Sequence, residues 1–541
     1  MSQPFHQITV SIILLHPKEL PYETRALSAA LRSALEQDHP NCEVILVDGR
    51  GEAASLPADC AGVKLVSGSF ANRAAMLRAG SQQASGQYLL LALNDAAPVL
   101  LRRSAVSALV IAAVRHPNAG MFYTDYSLVE GGEGSGPDAG PGAGDATTER
   151  HLLDWHEGRL RDNTDFGRVW FLSAETLKQV GGINVSYQAA DLYDLRLRLG
   201  AAGPLVHIAN RYAGSLYTVH TGGSKHNVFD YLLSDKASQL EMEKALVEHL
   251  KRTGAYLEPG AHCKPVATTS WEKGLKEETS FAECLASVVI PVNNRPEFIG
   301  RAIESVRQQT VRAVETIVVV NGGPEDPTVS AVEQYLEGGA KYDRRAPPVR
   351  LIVVDINNLG LCLNTGIAAA RGKYYVQLDS DDRLKPDAVE KLCEVFDADP
   401  AIGMVIGSYE VWDLAAESGQ LTRNQDIPAV THDEWTDENG RNNLLRVNGA
   451  GAPRSARIGA IAKVGWFGVN DDPDCRNYGE DYDLVLRISE QYRIGRVWEP
   501  IYEVIRHAGG TDHSINQAVI DRNDNAKDHM RLQALRRRKK L

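Results

Sequence analysis

The stretch Gly372-Lys-Tyr-Tyr-Val-Gln-Leu-Asp-Ser-Asp-Asp382 has a related copy earlier in this chain, Gly86-Gln-Tyr-Leu-Leu-Leu-Ala-Leu-Asn-Asp-Ala96. Each copy is a short aromatic and aliphatic run that ends in polar residues. This pattern is typical of a buried parallel strand with a polar carboxyl end. The copies are separated by about half the chain, far more than a solenoid repeat, which indicates two copies of a whole domain.

Further matches occur in the same order along both halves. They pair Asn72 with Asn358, Val180-Gly181 with Val464-Gly465, Tyr193-Asp194-Leu195 with Tyr482-Asp483-Leu484, and His220 with His507. The informative differences are acidic residues of the second copy that are apolar in the first: Asp379 against Leu93, Asp382 against Ala96, and Asp481 against Leu192. The second copy therefore reads as a working site and the first as a retired or repurposed one.

Composition indicates an ordinary globular protein of at least two domains. The chain has 541 residues, of which 43% are hydrophobic and 24% charged. A net charge of −12 argues against general nucleic-acid binding. The seven scattered cysteines form no Cys-x-x-Cys pair, so reduced thiols are expected. With no leader-like or membrane-spanning stretch, we expect a cytoplasmic protein.

Strands alternate with helices in both halves, which predicts an α/β fold of two tandem, Rossmann-like domains with doubly wound, mostly parallel sheets. Short β-branched or aliphatic runs begin at Ser287, Thr316, Val349 and Tyr374, with helical spacing at 297–309 and 364–370. We predict domains at 1–228 and 284–541, joined by a helical connector at 229–283. Residues 131–147, rich in Gly, Pro and Ala, predict a flexible loop.

Three carboxylates follow the strand that begins at Tyr374: Asp379, Asp381 and Asp382. They repel one another unless a cation or hydrogen-bond donors lie among them. Mg²⁺ or Mn²⁺ bridging a diphosphate would relieve the repulsion. A solvated acidic turn that caps the following helix is the alternative.

Glu480 and Asp481 form a second acidic pair, at the start of a predicted helix where a polar cap is also expected. His507 follows an apolar segment. A single histidine at such a place is more often structural than a ligand.

Taken together, these residues resemble glycosyltransferase family 2 of the GT-A fold. The resemblance covers most of the second half through five ordered motifs. They are Val-Val-Ile-Pro-Val-Asn-Asn-Arg at 288–295, Asn-Leu-Gly at 358–360, Leu-Asp-Ser-Asp-Asp at 378–382, Gly-Glu-Asp-Tyr-Asp-Leu at 479–484, and His507. The first half is similar to the leading domain of tandem enzymes of this family that build surface polysaccharides.

The resemblance implies an inverting transferase that uses a nucleotide-diphosphate sugar and a divalent ion, Mn²⁺ or Mg²⁺. Asp481 would be the general base, and Glu480 would position the acceptor or the base. The metal ligands would be Asp381, Asp379 and His507, with Asp379 and Ser380 also near the nucleoside or sugar. The nucleotide contacts would be Pro291, Asn293, Arg295, Asn321 and Asn358. Asn321 departs from the acidic residue usual in the family, which leaves the nucleotide open.

In the first half only Asp95 remains of the acidic motif. Asp48 and Asn72 could still hold a nucleoside, and Asp191 is the nearest substitute for a base. We expect an inactive, structural or acceptor-binding domain, with a second transferase site as the alternative.

The last residues are strongly basic: Arg531, Arg536, Arg537, Arg538, Lys539 and Lys540. Apolar residues are interleaved, as in a short amphipathic helix on anionic lipid at the inner face of the membrane. A solvated, disordered tail is the alternative. The expected acceptor is a glycan, a lipid-linked glycan or a protein. A non-catalytic scaffold that binds sugar nucleotides or glycans is the rival function.

Overall fold

Buried strands at the centre of a layered α/β arrangement organise each half of the chain. The computed structural model describes residues 5–19, 24–51, 56, 60, 62–130, 146–210, 214–221, 235–261, 263–266, 284–416, 418–431, 440–447, 451–476, 478–507 and 517–541. Its contacts divide the chain into two units, Met1–Thr253 and Gly254–Leu541.

In the first unit, the described strands are β1 Val10–His16, β2 Cys42–Asp48, β3 Val63–Ser67, β4 Tyr88–Ala92, β5 Val99–Leu101, β6 Met121–Thr124, β7 Tyr126–Glu130, β8 Ala146–Arg150, β9 Val169–Ser173, β10 Leu205–Ile208 and β11 Tyr217–Thr221. The described helices are α1 Thr24–Leu35, α2 Arg73–Gln83, α3 Ala105–Arg115, α4 Ala174–Gln179, α5 Asp191–Ala202 and α6 Lys236–Thr253, after a short 3₁₀ turn at Phe5–Gln7. The larger sheet has the order β10-β6-β9-β4-β1-β2-β3, and the smaller one β5-β11-β7-β8.

In the second unit, the described strands are β12 Ala286–Val292, β13 Val314–Val320, β14 Val349–Val353, β15 Tyr374–Gln377, β16 Arg383–Leu384, β17 Ile402–Leu414, β18 Leu421–Arg423, β19 Arg454–Arg457 and β20 Arg493–Arg506. The described helices are α7 Ile299–Arg307, α8 Pro327–Glu333, α9 Leu359–Ala369, α10 Ala388–Ala398, α11 Gly440–Asn443, α12 Ile458–Val464, α13 Glu480–Gln491 and α14 Gln517–Arg538. The sheet order is β14-β13-β12-β15-β19-β17-β20-β16, with β18 on the edge of β17.

The two units have the same strand topology. β3-β2-β1-β4-β9-β6-β10 corresponds strand for strand to β14-β13-β12-β15-β19-β17-β20. In both units one antiparallel strand, β9 or β19, follows four parallel ones. The predicted α/β fold of two related, doubly wound domains is therefore confirmed.

Glycine occupies equivalent positions in the two units where a helix approaches the sheet. A Cβ on Gly80 of α2 would lie 2.7 Å from Ile13, and one on Gly366 of α9 would lie 2.4 Å from Val289. Only glycine permits so close a contact between helix and strand. Alternate residues of β1 enter two apolar clusters, one on each face of the sheet, so the core of the first unit covers both sides.

Three predictions about connecting segments have mixed outcomes. Residues 131–145 of the predicted loop lie outside the described residues, and Ala146 and Thr147 begin strand β8 rather than continuing the loop. Within the predicted connector, α6 packs on α5 of the first unit through Glu241, which accepts backbone N–H groups of Gln188 and Ala189. The boundaries at 228 and 283 stay a prediction.

The basic end is neither a disordered tail nor a helix with a free apolar face. It is part of the 22-residue helix α14, in which Met530, Arg531, Leu535 and Arg538 are buried. The apolar residues that would enter lipid therefore pack against the protein. Among the described residues, no helix combines the length and hydropathy required to cross a bilayer.

Candidate active site

The carboxyl end of β15 carries the acidic motif to the edge of the sheet. Asp379 donates its backbone N–H to the Tyr502 hydroxyl at 3.1 Å, and its Oδ1 accepts a hydrogen bond from Gln377 at 3.3 Å. Burial raises the pKa of Asp379, and Asp381 adds to this effect while Arg454 opposes it. A positive charge near Asp379 would therefore stabilise its ionised form.

Asp381 and His507 meet although 126 residues separate them in the chain. His507 Nε2 lies 3.0 Å from Asp381 Oδ2. Arg295 Nη1 lies 3.2 Å from each of these two atoms. The His507 ring also packs on Phe298, with 4.3 Å between ring centroids. Asp381, His507 and Arg295 thus form one polar cluster at the end of β15.

The Asp381 and His507 pair suits a small divalent ion. Octahedral Mg²⁺ has ligands at roughly 2.1 Å, which places adjacent ligand atoms roughly 3 Å apart. Such ions commonly take one or two protein ligands and complete their shell with phosphate oxygens and water. Within the described part of the chain, no three His, Cys, Asp or Glu side chains converge as a metal site. The structure thus places two of the three predicted ligands together, with Asp379 held by Gln377 instead.

Asp382 has a structural place. Its Oδ1 accepts the backbone N–H of Ile505 at 2.8 Å, and the residue is only 6% exposed. Burial, reinforced by Asp379 and Asp381, raises the pKa of Asp382 well above its ordinary value. The third carboxylate of the motif therefore ties the acidic turn to β20.

Glu480 and Asp481 form the first turn of α13, next to Gly479 with φ of 83°. The positive end of the helix dipole favours anions there. Burial acts to raise the pKa of Asp481, but Arg454 and Lys527 outweigh it and hold this pKa below its ordinary value. Burial and the neighbouring Asp481 raise the pKa of Glu480 to about 7. One carboxylate is thus held ionised, while the other titrates near neutrality.

Arg454 is a residue of this site that the sequence analysis missed. Its Nε lies 2.8 Å from Asp481 Oδ2. Burial would lower the pKa of Arg454, but Asp481 and Asp379 outweigh burial and raise it. Arg454 therefore links the two acidic motifs electrostatically. The sequence signal was only a charged residue at the start of a strand, and β19 was not predicted.

Four apolar residues of the first unit lie where the second unit has the polar residues Gln377, Asp379, Arg454 and Asp481. Leu91 of β4 lies opposite Trp170 of β9, and the register of β15 with β19 puts Gln377 opposite Arg454. Leu91 therefore corresponds to Gln377, and Trp170 to Arg454. Leu93 and Leu192 correspond to Asp379 and Asp481. Leu91, Leu93 and Trp170 belong to one buried apolar cluster, and Leu192 packs against it. We call these four residues the apolar plug.

The acids that remain in the first unit are bound by its own side chains. Arg73 contacts Asp95 at 3.0 Å and Asp191 at 2.6 Å. Asp48 is fully buried and pairs with Arg50 at 2.6 Å. Asp191 is the predicted substitute for a base, and Asp48 is a predicted nucleoside contact. In the structure both carboxylates are already paired with arginines.

The predicted nucleotide contacts lie at the carboxyl ends of β12 and β13 and at the start of α9. Asn358 caps α9 by accepting the backbone N–H of Leu361 at 2.9 Å and donates to the Val469 carbonyl oxygen at 3.1 Å. Asn72 caps α2 in the same way. The Asn358 side chain is therefore committed to the fold, which explains its repetition without a nucleotide.

The other predicted nucleotide contacts lie at or just after the ends of strands β12, β13 and β15. Pro291 is the penultimate residue of β12. Asn293 is exposed and Ser380 is half-buried, and both lie on loops. Asn321 is 6% exposed and donates a hydrogen bond to Asn357 at 3.1 Å. Asp326, which the sequence analysis did not single out, accepts the backbone N–H of Asn294 at 2.8 Å and so fixes the loop before Arg295.

Part of the second unit is similar in sequence to known proteins. Residues 287–446 match the model of glycosyl transferase family 2. Chondroitin synthase of Escherichia coli is 34% identical over 243 residues, which is 45% of this chain and 32% of that protein. The putative glycosyltransferase EpsH of Bacillus subtilis is 36% identical over 106 residues, which is 20% of this chain and 28% of that protein. The chain thus spans about a third of the length of these relatives.

Solved structures with weak similarity include TarS and a mannosyltransferase. The S. aureus TarS structure of residues 1–349 is 16% identical, with a TM-score of 0.32 over 41% of this chain and 60% of that one. Mannosyltransferase PcManGT from Pyrobaculum calidifontis, in complex with GDP-Man and Mn²⁺, is 14% identical, with a TM-score of 0.30 over 56% of this chain and 82% of that one. The similarity that carries weight here is that of the sequence. Through residues 287–446, the second unit is similar to glycosyl transferase family 2.

Proposed function

We propose that the second unit transfers a sugar, with inversion, from a nucleoside-diphosphate sugar to an acceptor hydroxyl. The observation that carries this proposal is the convergence of Asp379, Asp381, His507, Arg454 and Asp481 at one edge of the sheet. Ligands of doubly wound folds bind at this edge. The apolar plug of the first unit supports a catalytic rather than structural reason for the polar set, because the same fold forms without it.

Proton transfer is assigned to α13. The acceptor oxygen attacks the anomeric carbon on the face opposite the diphosphate, the bond from that carbon to the diphosphate oxygen breaks, and Asp481 receives the acceptor proton. Arg454 holds Asp481 ionised before attack. Glu480, whose pKa is about 7, lies beside Asp481 to orient the acceptor hydroxyl.

Asp381 and His507 would hold a divalent ion, and such an ion neutralises charge on the leaving diphosphate. Arg295 contacts both residues and would move aside when the ion binds.

The acceptor is proposed to be a growing glycan. Chondroitin synthase, hyaluronan synthase and a succinoglycan biosynthesis protein, as their names state, act in polysaccharide synthesis. The test is release of nucleoside diphosphate from a panel of UDP-, GDP- and dTDP-sugars with Mn²⁺, and then transfer from the active donor to oligosaccharides. Activity that stops when a chelator is added supports the proposal. Binding of a donor without turnover on any acceptor would favour the scaffold instead.

The first unit is expected to contribute no chemistry. Asp95→Ala should leave the rate of transfer unchanged, because Arg73 keeps its contacts with Asp191. Arg73→Met is the matched variant. It leaves Asp191 buried without its cation and should lower the free energy of unfolding by about 3 kcal/mol. Initial rates and chemical denaturation test both variants. Loss of transfer in Asp95→Ala, as complete as that in Asp381→Ala, would instead establish two cooperating sites.

A further inference from the structure

Buried arginines hold the C-terminal helix α14 against α13, the helix that carries Asp481. Arg531 is fully buried, pairs with Asp528 at 2.6 Å and donates to the Val447 carbonyl oxygen at 2.9 Å. Its guanidinium carbon lies 4.9 Å from the centre of the Tyr482 ring. Each contact satisfies a donor that would be costly to bury alone. The position of α14 relative to the turn before α13 is therefore fixed.

That turn rests directly on α14. Gly479 has φ of 83°, and a Cβ there would lie 2.7 Å from Met530 Cε and 3.8 Å from Lys527 Cγ. The Lys527 ammonium lies 5.0 Å from the Tyr478 ring and 5.7 Å from the Tyr482 ring. These tyrosines flank the Gly479-Glu480-Asp481 segment, so a cation–π contact on either side of this segment holds Lys527 against the turn.

The charges around the acids need a second cation. Glu480, Asp481 and Asp379 lie close enough to influence one another electrostatically, and Arg454 acts on all three. Arg454 supplies one positive charge among these acids, and a donor diphosphate would add negative charge. Lys527 also acts on Asp481 and opposes this charge.

The first unit has the opposite charge in the related place. Its final helix, α6, also packs on the helix that corresponds to α13. There Glu241 accepts the backbone N–H groups of Gln188, Ala189 and Ala190, just before Asp191 and Leu192. In the first unit, which lacks the proposed base, a carboxylate caps the helix. In the second unit, a lysine lies against the corresponding helix, which carries the proposed base.

We propose that Lys527 is a positioning residue for the transfer reaction, which holds the Gly479–Asp481 turn in place and balances the charge of Asp481. This inference rests on the proposed function of Asp481. Lys527 acts through Asp481 rather than on the substrate.

The experiment is a charge series at this one position in the full-length chain. Compared with wild type, Lys527→Arg should retain kcat, Lys527→Met should lower kcat about tenfold, and Lys527→Glu should lower it further. The effect is smaller than the roughly 10²–10⁴-fold contribution of a general base, because Lys527 acts indirectly. The KM for the donor and the calorimetric affinity for the donor should stay unchanged. Arg536→Met, at an exposed position of the same helix, is the control.

Equal kcat for the Met, Glu and wild-type proteins would overturn the inference, as would equal losses in Lys527→Arg and Lys527→Met, which indicate packing rather than charge. Asp481→Asn separates the inference from the proposed function. If that variant is inactive while the Lys527 series is flat, the base assignment stands and the positioning role fails. If Asp481→Asn is fully active, the base assignment itself fails.

Discussion

Replacing Asp481 by Asn is expected to lower kcat by roughly 10²–10⁴-fold, the range of a general base. Asn preserves the size of the side chain and can still contact Arg454, but it does not accept a proton at neutral pH. Donor binding should change little, because the base acts on the acceptor hydroxyl. Initial rates with saturating donor, together with calorimetric titration of the donor, separate the two effects.

Glu480→Gln is the matched variant, and its effect should depend on pH. The pKa of Glu480 is about 7, so the wild-type carboxylate is protonated below this pH and ionised above it. Since the ionised form accepts the hydrogen bond of the acceptor hydroxyl, kcat of the wild type should rise as pH passes through about 7. In Glu480→Gln this rise should be absent. A pH profile of the same shape in both proteins would remove Glu480 from the site.

Replacing Asp381 by Ala is expected to weaken metal-dependent donor binding about 100-fold, equivalent to ~3 kcal/mol, and to abolish turnover. The substitution removes the carboxylate that contacts both His507 and Arg295. The measurement is calorimetric titration of the donor with Mn²⁺ and with a chelator. In the wild type the two curves should differ strongly, whereas in the variant they should coincide.

Asp95→Ala is the control for this experiment, since Asp95 occupies the same place in the repeated motif. It should retain the full difference between Mn²⁺ and chelator. A wild-type protein that binds its donor equally well with the chelator would contradict the metal role of Asp381 and His507.

The sequence was sufficient for the fold because local pattern and repetition agreed. The aliphatic run at Tyr374 and its copy at Tyr88 predicted equivalent strands, and these occupy equivalent places in the two sheets. The meeting of Asp381 with His507 was implied only by resemblance, since no local pattern joins residues so far apart. The individual roles of the site residues stay predictions for the experiments above.

Features that depend on tertiary contacts were not visible in the sequence. Arg454 meets Asp481 because β19 runs antiparallel to β15 and thereby starts beside the acidic turn. Asn358 stays a predicted nucleotide contact, but the capping of a helix already accounts for its repetition at Asn72. The basic end suggested a lipid-binding surface, but Arg538 instead donates to the carbonyl oxygen of Arg441 within the protein. An arginine that is buried against carbonyl oxygens produces no periodic pattern of apolar residues in the sequence, so its burial could not be predicted.

The apolar plug has a consequence for engineering, which is that the polar residues of the second unit are hard to introduce into the first unit one at a time. Trp170→Arg alone would place a guanidinium in the buried apolar cluster, and Leu93→Asp alone would place a carboxylate in the same cluster. An unpaired charge at such a place is strongly destabilising. Each single substitution therefore gives a less stable protein, and only an exchange of several plug residues together would avoid this cost.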